Sequence, residues 1–454
     1  MPKLSPIRVL IFAACLCWTT TATADDEVLF WNAVGVRAMN GVPAGPGGVP
    51  AAIPAVAGAF QPRVLAIMHV AIFDAVNGIE RRYEPIYVTE TAPRGASKRA
   101  AAVQSAYTAL SRLFPDHQAR GLFEADLETS LAGIVSEDGL ENSQSISRGR
   151  EWGAHVANAV VAFANTDGVF PLTTFTPDPS TLGPGVWRPT PRPNPTPPPT
   201  ELAGLPGQFL SLASGRPWVL PDPPTAWRPV GPVALTSTIY TQDFNDIKAV
   251  GARVSATRTP AQTQSALFWA GAAASIWNRT AVNAARARNT TLSQNARLLA
   301  ILNMAGHDAL IVAWEAKYHF SFWRPITAIR LADTDGNPLT TADAAWVPLV
   351  TTPAYPDYYS GHQSISGSAA AILTAYFGDD MPVEAFSEGL PGVTLTWPNF
   401  AAAGHDAMMA RVWGGIHFLF TMTDTRDNAA RIGLYVLEHA AQPQNGERVG
   451  QLSK

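Results

Sequence analysis

Apolar residues recur along this chain at the three-to-four-residue spacing of α-helices, and strand-like alternation is scarce. The most apolar stretch, residues 63–79, is hydrophobic on nearly all sides and ends at Asn77-Gly78, which indicates a buried helix. The same spacing predicts further helices over residues 98–114, 118–134, 145–165, 241–254, 260–287, 292–317, 365–377, 400–422 and 426–439. We therefore predict an all-α fold that begins with a helical bundle, and we detect no internal repeat of fixed period.

Between the two helical regions the chain is rich in proline. Residues 171–232 hold eighteen of the 38 prolines, and proline fixes φ and has no N–H donor. The segment is thus either a flexible linker or an ordered excursion over the core. Its three tryptophans, Trp187, Trp218 and Trp227, favour the ordered excursion.

The first 24 residues have the layout of a secretory signal peptide. Lys3 and Arg8 precede an apolar run over residues 9–18, and Ala22-Thr23-Ala24 follows. The run is about half of the ~20 residues that span a membrane, so we predict no membrane anchor. Cleavage after Ala24 would remove both cysteines, Cys15 and Cys17, and a lipoprotein acylated at Cys15 is the less favoured alternative. We expect a secreted protein, periplasmic or extracellular.

These patterns divide the chain into four segments. We predict a signal peptide over residues 1–24, an N-terminal helical bundle over 25–170, a proline-rich wrap over 171–235 and a C-terminal bundle over 236–454. A hydrophobic content of 47% supports a large core. The net charge of −4 gives no basic surplus for binding a nucleic-acid backbone.

Two basic residues stand in unusually apolar surroundings. Lys317 and Arg324 lie within residues 314–325, a segment with five aromatic residues besides His319, too apolar for an ordinary exposed face. Buried cations need an anion, which is either a protein carboxylate or a bound oxyanion. Arginine recognises oxyanions through its planar fork of N–H donors.

Two further segments carry residues suited to an oxyanion. Ser360-Gly361-His362 precedes a predicted helix, whose N-terminus favours anions, and glycine lets the backbone approach a ligand closely. His362 would stand ready as acid or base. Arg411 and His417 are six residues apart, and Gly414-Gly415 between them allows a bend that brings both to one point; alone, His417 is more typical of a core histidine.

Together these segments resemble the signature that the vanadium-dependent haloperoxidases share with the type 2 phosphatidic acid phosphatases. That signature is Lys-x6-Arg-Pro, Ser-Gly-His and Arg-x5-His. Residues 69–77, 322–330 and 353–356 also resemble the secreted bacterial haloperoxidases. The resemblance implies two packed helical bundles joined by the ordered proline-rich excursion, with the anion site in the C-terminal bundle.

The resemblance also implies roles for the signature residues. Vanadate would be the cofactor, with His417 as the metal ligand and His362 as the acid-base group; Lys317 would activate the bound oxidant. The groups that would bind the vanadate are Lys317, Arg324, Ser360, Gly361, Arg411 and His417. Hydrogen peroxide, a halide and a small organic molecule would be the partners, and a homodimer is a further expectation. The alternatives are an acid phosphatase with a phosphohistidine at His417, and a degenerate oxyanion-binding protein without turnover.

The chain departs from the family patterns where acids are expected. The phosphatase pattern has Ser before the second Arg and Asp four residues after the last His, and this chain has Ala410 and Thr421. Many haloperoxidases carry an Asp that steadies the later Arg, and residues 268–272 have none. Asp308 either replaces that acid or pairs with Lys317.

A rival interpretation starts from histidine and aspartate pairs. His307-Asp308, His405-Asp406 and His319 are the residue types of a phosphohydrolase that uses a divalent cation. Such pairs are common in proteins, and this interpretation gives no function to Lys317, Arg324 and Arg411.

Overall fold

A computed structural model of the chain describes residues 26–444 apart from 46, 47, 49, 138–140, 191–203 and 222–223. The predicted signal peptide, with Cys15 and Cys17, lies outside the described residues. The N-terminal helices are α1 (Glu27–Met39), α2 (Gln61–Glu80), α3 (Lys98–Leu113), α4 (Pro115–Ala119), α5 (Glu124–Glu137) and α6 (Ser143–Ala164).

The C-terminal half is also helical. Its helices are α7 (Thr238–Val250), α8 (Pro260–Phe268), α9 (Ala273–Ala287), α10 (Leu292–Phe320), α11 (Pro325–Arg330), α12 (Gly361–Phe377), α13 (Phe400–Trp413) and α14 (Leu419–His439). A short antiparallel hairpin, β1 (Val383–Phe386) and β2 (Thr394–Trp397), precedes α13. The predicted all-α class is confirmed.

Two helices form the centre of the packing. In the N-terminal half α2 packs against α3 and α6, in the C-terminal half α10 packs against α12 and α14, and α2 and α10 pack against each other. Both are long and apolar enough to cross a membrane, but their apolar windows are 89% and 100% buried, as in the core helices of a globular protein.

The two central helices use corresponding residues in the same way. Residues 63–75 of α2 and 297–309 of α10 both begin with Arg and carry Asp at the twelfth position. Asp74 accepts the backbone N–H groups of residues 86–88, and Asp308 accepts those of residues 218–220. Each buried carboxylate therefore fixes a loop: Asp74 the residues that follow α2, and Asp308 part of the proline-rich segment.

Two predicted helix boundaries are wrong. The helix predicted over residues 260–287 is two helices, because residues 269–272 leave the helix; Gly271 packs so closely on the loop after β1 that a Cβ would lie 2.2 Å from Ser387 Oγ. No break lies between residues 422 and 426, because α14 continues through both; the bend predicted at Gly414-Gly415 is present as the break between Trp413 and Leu419. Gly415 makes that break possible with a φ of 77°, and its backbone lies against Gly251.

The described parts of the proline-rich segment pack on the core. Trp187 is fully buried, and Trp218 and Trp227 are half-buried. Main-chain bridges join Val186 to Phe322 and Phe175 to Gly207. The segment boundaries at residues 170 and 235 stay predictions.

Candidate active site

Lys317 lies in the last turn of α10, inside the protein. Its Nζ donates to the carbonyl oxygens of Pro356 at 2.7 Å and Asp357 at 3.1 Å, and it lies 4.9 Å from the centre of the Tyr355 ring. Burial holds the pKa of this ammonium well below its usual value, and Arg324 lowers it further. Of the aromatic residues noted in the sequence, Trp314 lies beside this buried cation, with its ring centre 5.7 Å from Nζ.

Arg324 lies at the start of α11 and is also fully buried. Its Nε donates to the Tyr355 carbonyl at 2.8 Å and its Nη1 to the Ile416 carbonyl at 2.7 Å. Nη1 also lies 3.1 Å from His417 Nε2. Nη2 has no hydrogen-bond partner among the described residues, so one donor remains for a ligand.

The Ser-Gly-His turn forms the N-terminus of α12. The Ser360 hydroxyl accepts the N–H of Gln363 at 3.2 Å and so caps the helix. Gly361 passes so close to Trp314 that a Cβ would lie 2.6 Å from that indole. The half-buried His362 has its Nε2 without a hydrogen-bond partner in the described part of the chain. Burial lowers the pKa of His362 well below its usual value, and Arg411 lowers it further.

Arg411 lies in the last turn of α13, and His417 lies in the break between α13 and α14. The bend at Gly414-Gly415 is therefore present. Arg411 Nη1 donates to the Trp269 carbonyl at 2.8 Å, and its Nε has no partner among the residues described. Burial lowers the pKa of Arg411 to about 10. Residues 269–272, which lack the expected acid, anchor this arginine through a main-chain oxygen instead.

Asp357 is a residue of this site that sequence reasoning missed. Its Oδ1 lies 2.9 Å from His417 Nδ1 and 3.7 Å from Arg324 Nη1, and its Oδ2 accepts the Thr421 hydroxyl at 2.6 Å. Burial raises the pKa of Asp357 to about 6, although Arg324 opposes the rise. An acid three residues before Ser360, inside the signature segment, was the available signal.

His417 links these groups. It is 2% exposed, and burial lowers the pKa of its imidazole well below the usual value, with further lowering from Arg324, Lys317, Arg411 and His362. The predicted site residues are thus close enough to act on one another electrostatically. Gly361, His362 and Arg411 line a cavity of about 850 Å³ with Trp314 and Tyr355, and the buried Lys317, Arg324 and His417 are not among the lining residues.

The charges of this group favour an anion. Three basic side chains converge, and among their described contacts Asp357 is the carboxylate that opposes the charges of Lys317 and Arg324. Arg324 Nη2 and Arg411 Nε remain without acceptors in the described chain. An oxyanion matches this excess of donors and positive charge.

Other predicted pairings are wrong. Asp308 contacts neither Lys317 nor Arg411, because its carboxylate is taken up by the backbone N–H groups of residues 218–220. Asp406 accepts the Trp269 indole N–H and the Ser265 hydroxyl. The described residues contain no group of three or more His, Cys, Asp or Glu placed to hold a metal ion.

Two comparisons of the sequence with known proteins match the C-terminal part of the chain or a segment of similar length. Residues 297–446 match a family model described as the VCPO second helical-bundle domain. A vanadium chloroperoxidase from Curvularia inaequalis is 30% identical over 146 residues, which are 26% of this chain and 23% of that enzyme. The match thus spans less than a quarter of that relative.

Solved structures resemble the chain over most of its length. The structure described as the first bacterial vanadium-dependent iodoperoxidase has a TM-score of 0.72 at 21% identity, over 93% of this chain and 97% of that one. An apo-type bacterial vanadium-dependent chloroperoxidase has a TM-score of 0.64 at 18% identity, over 84% of this chain and 93% of its own. At these identities the likeness is one of fold.

Proposed function

The resemblance to the vanadium haloperoxidase family is confirmed in the C-terminal sequence and in the fold, and from this premise we propose that the chain is a vanadium-dependent haloperoxidase. It would oxidise a halide with hydrogen peroxide, and the oxidised halogen would then react with a small organic molecule. The observation that carries the proposal is the convergence of Lys317, Arg324, Arg411 and His417 at one buried site, next to a cavity that Arg411 lines.

The residues present fit a vanadate group. Arg324 Nη2 and Arg411 Nε are buried donors without acceptors among the described residues, and they are suited to vanadate oxygens. The Trp314 indole fills the space where any other residue at position 361 would carry its Cβ, so the Ser-Gly-His turn can lie this close to the site only because residue 361 is glycine. His417 supplies the nitrogen ligand, and the Ser-Gly-His turn supplies the Ser360 hydroxyl.

Bound vanadate would supply a Lewis-acidic centre at which hydrogen peroxide becomes able to oxidise a halide. The chain itself binds and holds protons. Lys317, Arg324 and Arg411 neutralise negative charge in a site where burial strengthens each interaction. The lowered pKa keeps His362 unprotonated at neutral pH, so the imidazole can take a proton from a peroxide in the cavity that this residue lines.

The test is a pair of assays on the purified protein. With added orthovanadate and peroxide, we expect halide-dependent oxidation of a phenol-red-type dye; hydrolysis of a generic phosphomonoester is measured beside it. His417→Ala should reduce dye oxidation by about a hundredfold or more. The matched control is His405→Ala, which changes an exposed histidine on α13 and should leave the rate unchanged.

The two alternative functions are distinct outcomes of these assays. Phosphomonoester hydrolysis without halide oxidation would replace the proposal with the acid phosphatase. Tight vanadate binding without either activity would support the oxyanion-binding protein without turnover. The predicted signal peptide makes export part of the proposal, and a homodimer remains a proposal by analogy with the family.

A further inference from the structure

We propose that Asp357 is a positioning residue for His417, holding the imidazole with Nδ1 toward the carboxylate and Nε2 toward the oxyanion site. This inference rests on the proposed vanadate site. It assigns a role to a residue outside the Lys, Arg, Ser-Gly-His and Arg-x5-His signature. It also accounts for the acid that the phosphatase pattern places four residues after the last histidine, where this chain has Thr421.

The carboxylate is held firmly in place. Thr421 donates its hydroxyl to Oδ2 at 2.6 Å, from a position on α14 one turn after His417. The backbone of Asp357 donates its N–H to the Phe322 carbonyl at 2.9 Å and accepts from Lys317 Nζ at 3.1 Å. Both Asp357 and Thr421 are fully buried. Asp357 therefore cannot turn away to water without leaving buried groups unpaired.

The neighbours of the ring define which nitrogen carries the proton. A neutral imidazole has one N–H donor and one acceptor nitrogen, and a guanidinium has donors only. Arg324 Nη1 lies 3.1 Å from Nε2 and 3.4 Å from Nδ1, while Asp357 Oδ1 lies 2.9 Å from Nδ1. The arrangement with the fewest conflicts places the hydrogen on Nδ1 and the lone pair on Nε2.

The contact between Asp357 and His417 has the length of a hydrogen bond, but the ring N–H is not aligned with the oxygen. Hydrogen bonds of catalytic groups are often poorly aligned before the ligand binds and tighten in the complex. Nε2 is the nitrogen that a metal would need, and carboxylate partners of metal-binding histidines fix both the tautomer and the ring orientation. Asp357 is suited to this task by its position.

A simpler role for Asp357 is to offset the charge of Lys317 and Arg324. The two roles differ in their predictions for Asp357→Asn, which keeps the shape and removes the charge. If Asp357 only offsets charge, the variant binds every oxyanion more tightly. If it positions His417, the amide oxygen faces the Thr421 hydroxyl and the NH₂ group faces Nδ1, which favours the wrong tautomer. Binding that needs the Nε2 lone pair is then weakened.

The experiment compares two probes on the full chain by titration calorimetry. Orthovanadate can take a bond from His417, and inorganic sulfate is a tetrahedral dianion that cannot. We expect Asp357→Asn to weaken vanadate binding by about 10- to 100-fold, and to leave sulfate binding unchanged or tighter. Sulfate binding also reports that the variant is folded. Asp424→Asn is the matched control, because Asp424 pairs with the Tyr358 hydroxyl at 2.9 Å instead of His417.

Thr421→Val provides a second route. It removes the hydroxyl that holds the carboxylate but keeps the charge, so vanadate binding should weaken several-fold and sulfate binding should stay the same. Unchanged or tighter vanadate binding by Asp357→Asn would overturn the inference, as would an equal loss of both probes. If the unaltered chain binds no vanadate, the proposed function itself fails, which is a separate result.

Discussion

Gly361 is the position where a single methyl group should disturb the site most directly. In Gly361→Ala the new Cβ would lie 2.6 Å from one carbon of the Trp314 ring and 3.0 Å from another. The indole is 1% exposed and its Nε1 donates to the Gln208 carbonyl at 3.3 Å, so it has little room to move. Overpacking of this kind costs about 1–3 kcal/mol of unfolding free energy.

The same change should weaken anion binding. Trp314 lies 5.7 Å from Lys317 Nζ, so a displaced indole disturbs the cation. The methyl group also stands at the turn where the backbone approaches the ligand. We expect vanadate binding to weaken about tenfold, which corresponds to about 1.4 kcal/mol. Urea unfolding and calorimetric titration with orthovanadate measure the two effects.

Gly306→Ala is the matched control on α10. Its Cβ would meet Pro62 at 3.5 Å, an ordinary contact, and alanine in a helix interior is about 0.5–1 kcal/mol more favourable than glycine. We expect this variant to be as stable as the parent or more so, with unchanged vanadate binding. If Gly361→Ala behaves in the same way, the close approach of the turn to Trp314 has no role in the site.

Three further predictions concern the groups around the site. Asp308→Leu leaves the N–H groups of residues 218–220 without their acceptor and should cost on the order of 3 kcal/mol in urea unfolding, whereas the exposed Asp427→Asn should change little. Burial lowers the pKa of His307 to about 4, so between pH 6.5 and 4 the unfolded chain binds a proton that the folded chain does not. The contribution of neutral His307 to the free energy of unfolding is complete above pH 6.5 and is lost as the pH falls. Between pH 7.5 and 4.5 the free energy of unfolding of His307→Leu should therefore fall by about 2–3 kcal/mol less than that of the parent. An identical pH dependence of unfolding in the two proteins would contradict this. Asp406→Ala removes the acceptor of the Trp269 indole, whose residue anchors Arg411, and should weaken vanadate binding several-fold, while His405→Ala should not.

Much of the fold follows from local patterns in the sequence. The apolar stretch at residues 63–79 lies within α2, and residues 292–317 lie within α10, because a helix buried on all sides needs hydrophobic residues at every position. The hydrophobic pattern of the sequence does not indicate that the helix predicted over residues 260–287 is interrupted at residues 269–272. The cause of the interruption is the packing of Gly271 against the loop after β1, more than a hundred residues away in sequence.

The candidate site shows the same division. Oxyanion binding could be predicted from the order and spacing of Lys317, Arg324, the Ser-Gly-His turn, Arg411 and His417. The basic side chains offset the negative charge, the turn supplies hydrogen-bond donors, and the histidines supply a ligand and an acid-base group. The partners of these residues were predicted poorly. Asp308 was expected at the site and holds a loop, whereas the Trp269 carbonyl anchors Arg411.

The sequence by itself determined the helical class and the basic and imidazole residues of the candidate site, because both follow from residue type and spacing. The tertiary structure alone decided which carboxylate meets His417 and that the helix predicted over residues 260–287 is divided at residues 269–272. Those choices depend on how segments 60 or more residues apart pack together. A buried charge takes whichever partner the packing brings within a few ångströms, and one-dimensional spacing does not contain that distance.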